Sequence, residues 1–150
     1  KYTPDFFIKF VEDDGKPNMI IEVKPHDLWQ ANWRDWSDKW KTMQRYCKDN
    51  GYVFHIYDES RIKNTALDNI NFLMKFKNSA IEEEDKEAVL EQVRLMGTTT
   101  IDYLLTRFYI GSFLRNHGLR VIYHLLATKR LKFNLFLEIN DLTEVWVDYE

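Results

Sequence analysis

Cysteine is almost missing from this chain of 150 residues. With Cys47 alone, an internal disulfide framework and a cysteine-rich zinc site are both excluded, and a reducing cytoplasm is the expected compartment. Four scattered histidines do not restore a zinc reading. No apolar run approaches the roughly 20 residues that span a bilayer, and no basic leader precedes a hydrophobic stretch, so no membrane is expected among the partners. Charge of one sign is also lacking. A formal net charge of −3 gives no global pull towards a polyanion, so any nucleic-acid surface must come from local clustering of Lys and Arg. Repeats and low-complexity tracts are absent. What is present is 45% hydrophobic, 15% aromatic and 30% charged residues, enough for a packed core or two small ones. The chain opens at Lys1, without Met and almost at once in a strand-like run, so a preceding segment is expected.

The run from Thr3 to Val11 is aromatic and β-branched, Asp13-Asp14-Gly15-Lys16 reads as a turn, and Asn18–Lys24 as the returning strand. Pro25 ends that strand and Asp27 is placed to cap a helix entering at Leu28. Trp29, Trp33, Trp36, Trp40, Met43 and Cys47 then recur at spacings of four and three, a single helical stripe best read as core. Asn50-Gly51 closes this helix before a third strand, Tyr52–Asp58. Another helix follows from Arg61 to Phe76, and the polar stretch Lys77–Asp85 marks a boundary between domains 1–78 and 79–150. Helices over Glu87–Met96, Thr100–Phe108 and about Asn116–Lys129, a Gly111-Ser112 turn, and two strand-like runs, Lys132–Ile139 and Thr143–Tyr149, complete the second domain. That order is expected to be a winged helix.

Side chains alternate along a strand, so Glu22 and Lys24 share a face while Ile21 and Val23 point the other way. If the Asp-Gly turn folds the first strand back, Asp5 comes close to both. Two carboxylates, with the Val23 carbonyl as a third oxygen, suit Mg2+, for which Mn2+ can substitute. Such an ion neutralises a phosphate and acidifies a bound water, and Lys24 can orient or deprotonate that water. An ammonium between two carboxylates also limits their mutual repulsion, a structural reason for the same grouping.

Pro4-Asp5 followed by Glu22-Val23-Lys24 resembles the PD-(D/E)XK signature of restriction-type nucleases. Through YTPDF, IEVKP, KWKTMQRYCKDNGYVFHIYDE, GLRVIYHLLATKRLKFNL and TEVWV, nearly all of the chain is similar to TnsA-like proteins, the endonuclease subunits of heteromeric cut-and-paste transposases. The resemblance implies an α/β restriction-endonuclease-like core, N-terminally incomplete here, followed by an α+β winged-helix domain. It also implies a Mg2+-dependent endonuclease that cuts double-stranded DNA beside the 5′ ends of a transposon. Its expected partners are an integrase-like transposase subunit, which cuts and joins the 3′ ends, and an ATP-dependent regulator. Such nucleases usually carry another acid on an upstream helix, which is expected in the segment preceding Lys1. Two alternatives stand beside this reading: a bacteriophage nuclease for DNA-end processing or packaging, and a non-catalytic DNA-binding or adaptor protein.

Other residues carry two readings each. Lys41, Arg45 and Lys48 on the polar helix face can track a DNA backbone or simply meet solvent. Between Thr98 and Lys132, six cations, among them Arg120, Lys129 and Arg130, face one acid, Asp102. Arg120 and His124 share a face of the third helix and can bind phosphate, but many winged helices bind proteins instead. His26 sits near the proposed metal end. Glu82–Asp85 complements a helix dipole.

Overall fold

The aromatic run near the start forms an edge strand, β1 (Phe6–Ile8), antiparallel to β2 (Met19–Val23), with Phe6 opposite Ile21 and Ile8 opposite Met19. A computed structural model describes residues 2–11 and 15–148, so Asp13 and Asp14 of the expected turn lie outside the described residues. After Pro25, helices α1 (His26–Ala31) and α2 (Trp33–Asp49) carry the chain over to β3 (Val53–Tyr57), parallel to β2 with Glu22 opposite Ile56. Parallel strands require such a crossover, and helices are its usual form. The sheet order is β1-β2-β3, and a short helix, α3 (Glu59–Ile62), follows.

The helix expected from Leu28 onwards starts at His26 instead, with Pro25 rather than Asp27 at its N-cap. It also breaks at Asn32, whose Nδ2 donates to the Leu28 carbonyl at 2.8 Å beside its own backbone N–H at 3.1 Å. The break rotates the tryptophan stripe. Trp40 and Cys47 are buried, but Trp33 is 50% exposed, and Trp29, Trp33 and Trp40 form a ladder of ring contacts at 5.5–5.9 Å instead of a fully covered face.

The helix expected from Arg61 to Phe76 is also two. The side chain of Asn64 accepts from Leu67 N at 3.1 Å and caps a new start, α4 (Thr65–Met74). The chain divides into two compact units at this point, Lys1–Lys63 and Asn64–Glu150, so α4 belongs with the second rather than with the 1–78 domain expected from sequence.

The second unit continues with α5 (Glu83–Met96), β4 (Thr98–Thr100), α6 (Ile101–Phe108), α7 (Ser112–Ala127), β5 (Lys132–Phe133) and β6 (Glu144–Trp146). Helical periodicity converges on its core: Val89, Leu90 and Val93 of α5, Ile101, Leu104 and Leu105 of α6, and Val121, Ile122 and Leu125 of α7 are all buried. Each contributes about 1.5–3 kcal/mol. Helix α7 starts at Ser112 rather than near Asn116, since the Gly111 carbonyl already accepts from Arg115 N at 2.9 Å. Its sheet has the order β4-β6-β5, antiparallel throughout.

Strands β5 and β6 are much shorter than the runs expected. Asn134 turns the chain out of the ladder by accepting from Phe136 N, and buried Asn69 of α4 donates to the carbonyls of Leu135 and Leu137 at 2.8 and 2.7 Å. The carbonyls of Leu135 and Leu137 thus find their partner in α4 rather than in a neighbouring strand. Among the described residues no helix is long and apolar enough to cross a membrane.

Candidate active site

Strand alternation puts Glu22 and Lys24 on one face of β2, and the antiparallel register brings Asp5, just before β1, beside them. Asp5 Oδ2 accepts from Val23 N at 2.8 Å, which fixes that carboxylate to the strand end. The Lys24 ammonium lies 3.0 Å from Glu22 Oε1, 3.1 Å from the Val23 carbonyl oxygen and 3.6 Å from Asp5 Oδ2. All three oxygens expected to hold a cation therefore converge on one positive centre. Among the described residues no group of three or more His, Cys, Asp or Glu side chains is placed to hold a metal ion; the oxygens gathered here belong to two carboxylates and one main-chain carbonyl.

Glu22 is 2% exposed, a burial that an ionised carboxylate tolerates only with partners. Besides Lys24 it has two that the sequence did not reveal. The Tyr2 hydroxyl donates to Glu22 Oε2 at 2.7 Å, and Lys39 Nζ of α2 lies 3.8 Å from Oε1. Burial, with the Glu22 hydrogen bond and charge added, pushes the Tyr2 phenol well above its usual range. For Lys24 burial pulls the ammonium down, but the hydrogen bond and charge of Glu22 and the charge of Asp5 outweigh it, leaving the pKa raised. One signal for Lys39 existed: three residues after Trp36 and four before Met43, it places a cation on the margin of an apolar stripe.

The remaining expected residues fare differently. His26 turns to Asp58, with Nδ1 2.9 Å from Oδ2, and its backbone N–H donates to Glu59 Oε2 at 2.9 Å. It ties the ends of β2 and β3 together. Arg45 and Lys48 are exposed and make no ion pair among the described residues, while Lys41 makes an exposed contact with Asp38 at 3.4 Å. In the second unit three of the six cations between Thr98 and Lys132 are matched by acids. Arg130 is gripped by Glu83 and Glu87, Arg115 by Asp102 and Asp141 at 3.2 and 2.7 Å, and Lys132 by Asp148 at 2.9 Å. His124 Nδ1 lies 3.0 Å from the Phe76 carbonyl, so its ring does not stand free beside Arg120. Arg120 and Lys129 are exposed and outside any ion pair among the described residues.

Residues 1–59 match the family described as TnsA-like endonuclease N terminal, and residues 61–135 the one described as TnsA endonuclease C terminal. The chain belongs to the TnsA endonuclease family. No curated protein matches it. Membership makes this TnsA-family chain a transposon-related endonuclease, with DNA as the substrate class and a heteromeric transposase as the setting. The two matched segments meet at residues 59 and 61, close to the division between the structural units.

Proposed function

We propose that this TnsA-family protein is a Mg2+-dependent endonuclease that cuts double-stranded DNA at the 5′ ends of a transposon, beside an integrase-like transposase subunit. One observation carries the reading: Asp5 Oδ2, Glu22 Oε1 and the Val23 carbonyl all lie within 3.6 Å of the Lys24 ammonium. Hard oxygen donors with two negative charges fit a small divalent cation, and no soft ligand intrudes. Asp5, Glu22 and the Val23 carbonyl are the residues to hold it. When bound, such an ion neutralises charge on the scissile phosphate and acidifies a water. Lys24, kept protonated by its neighbours, acts as a donor that orients the attacking water and a phosphate oxygen rather than as the base. Tyr2 holds the far oxygen of Glu22 and so fixes which one faces Lys24.

The first unit's sheet, with its helical crossover, is consistent with a restriction-endonuclease-like core. The second unit is read as a winged helix, with α5, α6 and α7 as its three helices, β4 beside the hairpin, and β5 and β6 flanking the wing. Committed cations there favour a protein-docking role, with the ATP-dependent regulator as partner, over a phosphate-tracking one. The TnsA family match favours the transposon setting over bacteriophage end processing.

Lys24→Ala in the full-length protein, assayed with its transposase partner on transposon-end DNA in Mg2+, should fold normally and lose cleavage by at least about 100-fold. Undiminished cutting would remove Lys24 from the mechanism. Millimolar Mg2+ or Mn2+ should also raise the melting temperature of the wild-type protein; no rise would favour a non-catalytic adaptor.

A further inference from the structure

Glu22 has more partners than its charge requires. Lys24 matches that charge at 3.0 Å and the Tyr2 hydroxyl saturates the second oxygen at 2.7 Å, yet Lys39 also reaches in from α2 to 3.8 Å. At that distance Lys39 is the loosest of the three. Its ammonium is instead caged by aromatic faces, 5.0 Å from the ring centres of Tyr2 and Trp36 and 5.8 Å from Trp40. Ring faces attract the charge without using a strong acceptor for each N–H, so donors of Lys39 stay available. The side chain is 33% exposed and borders a groove of about 750 Å3 that Tyr2, Pro4, Phe7, Ile20 and Met43 also line.

We propose that Lys39 is a phosphate-binding residue of the cleavage site: it rests on Glu22 in the free protein and moves to a non-bridging phosphate oxygen of DNA when the acidic pair takes up a cation. This rests on the hydrolytic reading above and adds a substrate contact to it. Charge dictates the exchange. Two carboxylates face two ammonium groups in the free site, and a divalent cation at Asp5 and Glu22 leaves a positive excess that the phosphodiester of the substrate offsets. Lys24 lies close to all three oxygen donors, whereas Lys39 touches only Glu22, and loosely; Lys39 is therefore the cation able to leave.

The test uses full-length Lys39→Met, which keeps the length and apolar stem, and Lys39→Arg, which keeps the charge. Mg2+ affinity is measured by calorimetry on the protein alone. Binding of a duplex oligonucleotide is measured across a salt series, with Ca2+ replacing Mg2+ so that the duplex stays intact. Lys39→Met should bind Mg2+ at least as tightly as wild type, bind duplex about tenfold more weakly, and lose about 0.9 from its salt slope, with Lys39→Arg recovering most of the duplex affinity. Weaker Mg2+ binding with unchanged duplex affinity would overturn the proposal and reduce Lys39 to a strut for Glu22. So would loss of both functions in Lys39→Met and Lys39→Arg alike. Failure of the hydrolytic reading itself shows separately, as wild-type protein that binds no Mg2+ or as Lys24→Ala that still cuts.

Discussion

His26 shows how a residue next to a reactive site can serve the fold instead. Its ring meets Asp58, which also accepts from Trp29 Nε1 at 3.4 Å and from the Ser60 hydroxyl and backbone N–H. The Asp58 hydrogen bond leads the interactions that hold the imidazole above its ordinary 6.5, and hydrogen bonds from Ser60 and then His26 hold the Asp58 carboxyl far below its ordinary 3.8. Linkage fixes the direction of each effect. The raised imidazole stabilises the fold below about pH 6.5 and loses that contribution as pH rises through its folded value; the depressed carboxyl contributes above about pH 3.8 and loses it as pH falls through its own. The pair is therefore complete in mildly acidic solution. NMR titration should place the His26 pKa above 6.5 in the wild type and lower it in Asp58→Asn. The gap in melting temperature between wild type and His26→Ala should shrink as pH rises from about 5.5 to 8.5. A gap that widens with pH would mean the pairing is absent in solution.

At the level of elements, the backbone reads from sequence wherever a period or a cap is strong. The three strands of the first unit, the presence of α5 and α6, and the meeting of Asp5, Glu22 and Lys24 all follow from alternation and spacing. What escaped was set by single side chains acting at a distance. Asn69 draws Leu135 and Leu137 out of strand pairing, Asn64 starts a new helix, and Asn32 breaks another; as local letters none differs from any asparagine. Strand β4, three threonines long, is too short for a period to show. Tyr2 carried no signal and Lys39 only its place beside the apolar stripe, because their partner, Glu22, is reached only through the tertiary fold. Helix α7 offers a direct test of packing against propensity. A Cβ at Gly118 would lie 2.4 Å from Tyr109 Cδ2 and 2.9 Å from Leu105 Cδ2, both in buried residues. Alanine gains about 1 kcal/mol in a helix interior, but overpacking a filled core costs about 1–3 kcal/mol. Gly118→Ala should therefore unfold at lower urea despite its better helix propensity, and a gain in stability would show that the Tyr109 ring can step aside.

Over the whole molecule, charge decides where DNA affinity resides. Residues Lys1–Lys63 carry eleven basic and eleven acidic side chains and Asn64–Glu150 ten and thirteen, so neither unit attracts a polyanion by its total. Cations outside ion pairs are what can release counterions on binding, because a paired Arg must first leave its carboxylate. By that criterion Arg45 and Lys48, exposed and four and seven residues after Lys41 on the same helix face, stand with Arg120 and Lys129 and outrank Arg115, Arg130 and Lys132, whose acids already claim them. The prediction is quantitative in the salt dependence of duplex binding by the full-length protein. Replacing Arg45 and Lys48 together by alanine should lower the slope of log K against log salt by about 1.8, close to 0.9 for each lost phosphate contact, whereas Arg130→Ala should leave it unchanged. The opposite ranking would move the DNA track to the second unit and make its ion pairs a latch that DNA opens, and it would also undercut the assignment of that unit to protein docking.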